Sequence, residues 1–267
     1  MTYTIPSYTV HPGSVYQPKP ISAVDFPVDF LAANVVGCWS TRQLLSTGSG
    51  NIIRGRDATT NEEDFTSAAY PAGVVTLASG GDAFCPQLYD QSGNANHATQ
   101  AVAASQPKLV DTGSLIVDAS GRPVMEFDGS ADSLTFGSEF VLSGDFSVYF
   151  SIKNNILNTK HILYKNSTNR ILIQGSPNAI IMNAGGTFSF VGISPALLVG
   201  QFYDICLSRL SGSVSLYVNG VFKSAMSNNG SLSLTSILSA DADVGLVSIF
   251  NRALSAPEVT QLHNALA

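Results

Sequence analysis

Between residues 107 and 250 the chain is written in short apolar–polar alternations. FSVYFSI sets Phe146, Val148 and Phe150 against Ser147, Tyr149 and Ser151, a period of two that predicts a strand with one buried and one wetter face. VGLVSIF likewise sets Val244, Leu246, Ser248 and Phe250 against Gly245, Val247 and Ile249. Further strands are predicted at 123–127, 133–136, 145–152, 161–165, 170–174, 179–183, 187–191, 202–209, 213–218, 221–224 and 244–250. Asn219-Gly220 falls between two of them, the pair that a type I′ hairpin turn requires. After Asn251-Arg252 breaks the last strand, Ser255, Pro257 and Glu258 form a capping box with proline in the first turn, which predicts a short C-terminal helix. Short, evenly spaced strands parted by Gly, Asn, Asp and Ser predict an all-β antiparallel sandwich.

The first hundred residues read differently. Five prolines (Pro6, Pro12, Pro18, Pro20, Pro27) exclude helix and central strand from the N-terminus, so residues 1–32 are expected as an extended arm. Tyr3, Tyr8, Tyr16 and Phe26 give it apolar anchors for docking on another subunit. Residues 33–267 form the expected domain. Within it, 31–47 suit a short helix, or a strand then a helix, with Val36, Trp39, Leu44 and Leu45 toward the core. Residues 50–100 are mixed, with turns at Gly48-Ser49-Gly50 and Ser79-Gly80-Gly81-Asp82. No internal repeat is visible.

Composition narrows the function classes. The 267 residues are 45% hydrophobic and only 12% charged, with a net charge of −6. That charged fraction is about half the usual one. A surface built from Ser, Thr, Asn and Gly suits hydrogen bonding to sugars or packing in a symmetric assembly. Without a basic cluster, nucleic acid is not an expected partner. No apolar window reaches transmembrane length, and neither a Sec signal nor a lipidation motif is recognisable at the N-terminus, so no membrane insertion is expected. Cys38, Cys85 and Cys206 are too few and too scattered for a disulfide framework or a zinc site, and buried free thiols are expected. An extracellular type of fold without a secretion signal fits a virion protein, made in the bacterial cytoplasm and acting outside.

The most specific string is LYDQSGNANHATQA, residues 88–101. Asp90 and Asn94 flank a Ser-Gly pair and can hold a tight loop through backbone amides. CWSTRQLLSTGSGNIIRGRDATT (38–60) and DAFCPQLYDQ (82–91) precede it; SQPKLV (105–110) and EFDGSADSLTF (126–136) follow. This ordered set resembles the N-terminal half of the catalytic domain of the α-L-arabinofuranosidase B family, whose scaffold is a concanavalin A-like, laminin-G-like jelly roll. The resemblance is specific over about 37–110 and generic elsewhere, and it extends to related modules of bacteriophage fibre proteins. It includes a Ser-Thr-Arg helix, which would fall on Ser40, Thr41 and Arg42.

What the resemblance implies about catalysis is mixed. A retaining glycosidase needs two carboxyl groups about 5 Å apart. The family's nucleophile is a glutamate on a strand that matches 144–155, and Ser147 stands roughly at its position. The family's adjacent cysteine pair is absent. Asp241 and Asp243, just before the last strand, match the region of the acid/base. An acid without its nucleophile leaves double displacement undone, so no catalysis is expected; an arabinofuranosidase-like hydrolase is the alternative.

Other clusters have simpler readings. Glu126, Asp128 and Asp132 offer oxygens to calcium, but a site needs six or more from several loops, so no metal or other cofactor is assigned. His11, His97, His161 and His263 are too dispersed for a metal set. Tyr149, Tyr164 and Trp39 could stack on sugars, although Trp39 reads as core. The residues expected at a binding site are Asp90, Asn94, Asn96, His97, Asp241 and Asp243, with no catalytic residue. The function expected is a virion head or tail fibre or spike subunit. Its jelly roll would bind cell-surface polysaccharide, its arm would bind other virion proteins, and homo-oligomerisation would supply multivalency. A decorating protein without a glycan ligand is the third reading.

Overall fold

The computed structural model describes residues 28–47, 50–155, 159–175, 179–238 and 241–266. The arm expected over 1–32 lies outside them except for its last five residues. These are folded: Val28 and Leu31 are buried, and the Val28 amide donates to the Leu44 carbonyl at 3.1 Å.

The described chain is an antiparallel β-sandwich whose strands join in one hydrogen-bonded network of two layers. The strand Asp241–Phe250 is the hub. One edge pairs with Phe146–Asn154; the other pairs with Val35–Ser40 toward its end and Met125–Asp128 toward its start. Phe146–Asn154 continues the layer into Phe202–Leu210 and then Ser213–Val218. The second layer runs from Thr187–Gly192 through Ala179–Ala184, Asn169–Gln174 and Lys160–Asn166 to Leu232–Leu238 and Ser133–Leu142. Between the layers lies the main core, with Trp39 stacked on Phe136 at 4.5 Å.

Every strand predicted after residue 120 is found, although Leu232–Leu238 was not among them, and Asn219 and Gly220 take φ of +50° and +73°, as a type I′ turn demands. Three expectations are corrected. The face of Phe146–Asn154 expected to be wet is buried at Tyr149, because the C-terminal helix α1 (Ala256–Leu266) and the 3-10 turn Asp29–Asn34 close a second apolar cluster over it. Val244 does not share a face with Leu246. The register slips at Gly245, a β-bulge that turns Val244 into the main core while Leu246 stays in the second cluster. Residues 41–42, expected as the start of a helix, form a bend after the strand Val35–Ser40. The mixed segment 50–100 contains the strands Asn51–Asp57, Glu62–Thr66 and Ala83–Leu88 and a helix, Tyr70–Ala78. All three cysteines are buried free thiols.

Candidate functional site

The expected site residues separate into two groups. The strand register places Cys38 opposite Ser248, and the Cys38 amide is bonded by Asp90. Ser248 and Asp243 are five residues apart on one strand, about 17 Å. Asp90, Asn94, Asn96 and His97 are therefore not brought together with Asp241 and Asp243.

The first group builds a loop. Asp90 accepts from the amides of Cys38 (3.0 Å), Ser92 (2.9 Å) and Asn96 (3.1 Å) and from Ser92 Oγ (2.8 Å). Asn94 Nδ2 donates to the Val36 carbonyl, and the Asn96 side chain bonds both amide and carbonyl of Ser138. His97 Nδ1 accepts the Asp90 amide at 3.1 Å. These side chains are spent inside the protein, so the YDQSGN string encodes a staple. An open depression of about 350 Å³ adjoins it, lined by Asn51, Ile52, Gln91 and Ser92. Gln91 in its wall is likewise committed, to the Leu44 amide and the Arg42 carbonyl.

The second group lies on the outer face of the first layer, in a row no local pattern reveals. Lys108 stands opposite Glu126, Glu126 opposite Asp243, Asp243 opposite Lys153, and Lys153 opposite Phe202. Directly opposed residues point to the same face, their Cβ atoms about 4.5–5.5 Å apart. Five strands thus contribute to one charged row. Asp243 is 3% exposed, ion-paired to Lys153 and bonded by Asn155 Nδ2 at 3.0 Å. Lys108 turns to Asp82 and Asp111. Glu126 makes no hydrogen bond or ion pair among the described residues; burial, and next the charge of Asp243, raise its carboxyl above the usual range. Asp241, half-buried, stands opposite Asp128 in the adjoining row.

Chemically, Asp243 is tied into an ion pair with Lys153 and a hydrogen bond from Asn155. Ser147 is fully buried under α1: its Oγ accepts the Leu254 amide at 2.8 Å and lies 3.0 Å from the Arg252 carbonyl. Two of the three acids weighed for calcium, Asp128 and Asp132, serve a turn instead. Asp128 Oδ1 accepts the amides of Ser130, Ala131 and Asp132, and Asp132 Oδ2 accepts that of Asp128. Among the described residues no three His, Cys, Asp or Glu side chains converge as metal ligands. Of the three aromatics considered for sugar stacking, Trp39 and Tyr149 are core, and Tyr164 is half-buried against His161 at 4.8 Å.

Beside the charged row the sequence motif Ser40-Thr41-Arg42 reappears with a new role. Ser40 Oγ donates to the Gly245 carbonyl at 2.7 Å, Thr41 Oγ1 to Pro123 at 2.5 Å, and Arg42 Nη2 to Leu266 at 3.0 Å. Three consecutive residues thereby fasten the last strand, the loop 117–123 and the end of α1. Together these segments frame a small cavity.

No family model and no curated protein matches the sequence. Solved structures do match in fold. A GH54 α-L-arabinofuranosidase aligns with a TM-score of 0.65 and 13% identity, over 91% of this chain and 64% of that one. The binding domain of Paraclostridial Mosquitocidal Protein 1 aligns at 0.54 and 15%, over 88% and 53%. The botulinum neurotoxin serotype D binding domain aligns at 0.52 and 12%, over 87% and 52%. The chain spans between about half and just under two thirds of these structures. At such identities the likeness establishes the jelly-roll-like β-sandwich.

Proposed function

We propose that this chain is a non-catalytic binding module that recognises cell-surface polysaccharide through the outer face bearing the Lys108–Glu126–Asp243–Lys153–Phe202 row. The observation that carries this reading is the state of Asp243. Of the two acids in the region matched to the acid/base, Asp243 is buried, ion-paired to Lys153 and bonded by Asn155, and Asp241 is half-buried opposite Asp128, while the serine at the position matched to the nucleophile is a packing residue. A retaining glycosidase needs a facing pair of carboxyl groups, and a serine at the nucleophile's place supports a reading without catalysis. The fold supports the same reading, since two neighbours are binding domains by name. Sparse charge and abundant hydroxyl and amide side chains suit shallow hydrogen-bonded recognition, strengthened when copies act together. The proline-rich, tyrosine-bearing N-terminus is the segment by which such a module would join other virion proteins, as a homo-oligomeric fibre or spike subunit.

The test is a glycan array probed with the full chain, alongside release of nitrophenol from an aryl α-L-arabinofuranoside. Retention on one class of saccharide without turnover is the expected result. Turnover that disappears in Asp241→Asn or Asp243→Asn would replace this reading with a hydrolase.

A further inference from the structure

Arg170 and Asn183 stand directly opposite each other on the adjacent strands Asn169–Gln174 and Ala179–Ala184. The next opposed pair, Ile171 and Met182, lies in the main core, so strand alternation turns Arg170 and Asn183 to the outer face of the second layer. That face is on the far side of the sandwich from the Lys108–Phe202 row. Here a row runs from Tyr164 through Arg170 and Asn183 to Phe188, one residue from each of four strands.

Each member of the central pair has hydrogen-bonding capacity unspent. Arg170 Nη1 lies 3.1 Å from His161 Nε2. Burial, and after it the Arg170 charge, hold the His161 ring below its ordinary range, so the neutral ring accepts that bond. The other edge of the guanidinium, Nε and Nη2, has no partner among the described residues. Arg54 shows what such an edge takes: its Nε and Nη2 hold the two oxygens of Asp64 at 2.6 and 2.9 Å. Asn183 Nδ2 donates to the Ser167 carbonyl at 2.8 Å, which fixes the amide and leaves Oδ1 an acceptor without a donor. Among the described residues four buried side-chain polar atoms lack a partner, and two of them, Arg170 Nε and Asn183 Oδ1, fall on this one opposed pair.

A fork of two N–H groups calls for two oxygens, which a carboxylate or a vicinal diol can supply. Asn183 Oδ1 decides between them. It needs a proton, which a hydroxyl can give and a carboxylate cannot. The Phe188 ring, 57% exposed and opposite Asn183, offers its face to the C–H groups of a sugar. Tyr164, stacked on His161 at 4.8 Å, stands on the other side of Arg170.

We propose that Arg170 and Asn183 form a second saccharide subsite, on the face opposite the charged row, and that it reads a vicinal diol of a neutral sugar. This rests on the polysaccharide reading above and adds to it a second face and a ligand chemistry. Both unmet atoms are enclosed, so binding draws the Arg170 head away from His161, whose single bond is what holds it among the described residues.

The experiment is NMR titration of the full chain, following the Arg170 Nε–H and Asn183 Nδ2–H signals. The probes are the methyl glycosides of α-D-mannose, β-D-galactose and β-D-glucose, with acetate and tetrahydropyran-2-methanol, a ring without a diol, as controls. At least one glycoside should move both signals saturably, and neither control should. Arg170→Lys keeps the charge but loses the fork, and Asn183→Asp offers Arg170 an internal carboxylate; each should weaken binding about tenfold. Circular dichroism must show both variants folded, and the comparison of glycosides with controls on the unaltered protein needs no variant. Movement with no glycoside, equal movement with acetate, or a folded variant that binds as the native chain does overturns the subsite. If the glycan array retains the chain on a saccharide that leaves both signals still, the subsite falls and the polysaccharide reading stands; if the array is blank as well, both fall.

Discussion

Glu126 and Asp243 stand directly opposite each other on adjacent antiparallel strands, two carboxyl groups side by side on one sheet face. Asp243 is ion-paired to Lys153, whereas Glu126 has no ion pair among the described residues. Like charges in directly opposed positions destabilise a sheet.

Glu126→Gln is accordingly expected to stabilise the fold by about 0.5–1 kcal/mol at neutral pH. The native carboxyl of Glu126 is raised above its ordinary 4.5, so its ionisation penalises the folded state at pH above that raised value. As pH falls to 4.5 and below, the penalty vanishes and so should the gain. Urea unfolding of both proteins at pH 7 and pH 4 checks this; a gain that persists at pH 4 contradicts it.

Ser147→Ala should cost about 1–3 kcal/mol, because it strips the buried Leu254 amide of its acceptor. Ser147→Glu, which would restore the hydrolase pattern, should not fold, since the position is fully enclosed. A soluble, well-folded Ser147→Glu protein would contradict the packing role.

Glu258 caps the start of α1. It pairs with Arg252 and accepts the Ser255 amide at 2.8 Å, the arginine first and the amide after it holding its carboxyl down at about 2. A depressed native value means stability that is present above 4.5 and lost as pH falls toward 2. Glu258→Gln should therefore lower stability by about 1–2 kcal/mol at pH 7, allowing for solvent screening of a partly exposed pair. The difference between the two proteins should close across that acid range, as followed by thermal melts.

Gly220→Ala should cost about 1 kcal/mol through the left-handed backbone alone. The added methyl would also lie 3.1 Å from His263, which pairs with Asp204. Thermal denaturation reads the sum, and no change in melting temperature would contradict it.

The fold was legible wherever one strand face was wet and the other dry, and at turns with dedicated chemistry such as Asn219-Gly220 and Ser255–Glu258. It was hidden where neither a steady alternation nor a turn signal marks the element. Val35–Ser40, almost wholly buried, shows no alternation, and the helix Tyr70–Ala78 has neither a side-chain cap nor a clear polar face. Leu232–Leu238 was missed because a register shift between Leu234 and Ser236 interrupts its period. The loop around Asp90 was legible as a staple, and the structure adds what it fastens. The Glu126–Asp243 row and the Arg42–Leu266 contact were not legible. Each depends on register or docking between segments separated by 80 residues or more, and nothing local encodes that.

The lashing made by Ser40, Thr41 and Arg42 has a kinetic corollary. Its three anchor points, Gly245, Pro123 and Leu266, leave the ribosome at very different times, so a nascent chain still lacking the helix Ala256–Leu266 cannot complete all three. Closure of this corner of the sandwich thus waits on the seating of that helix.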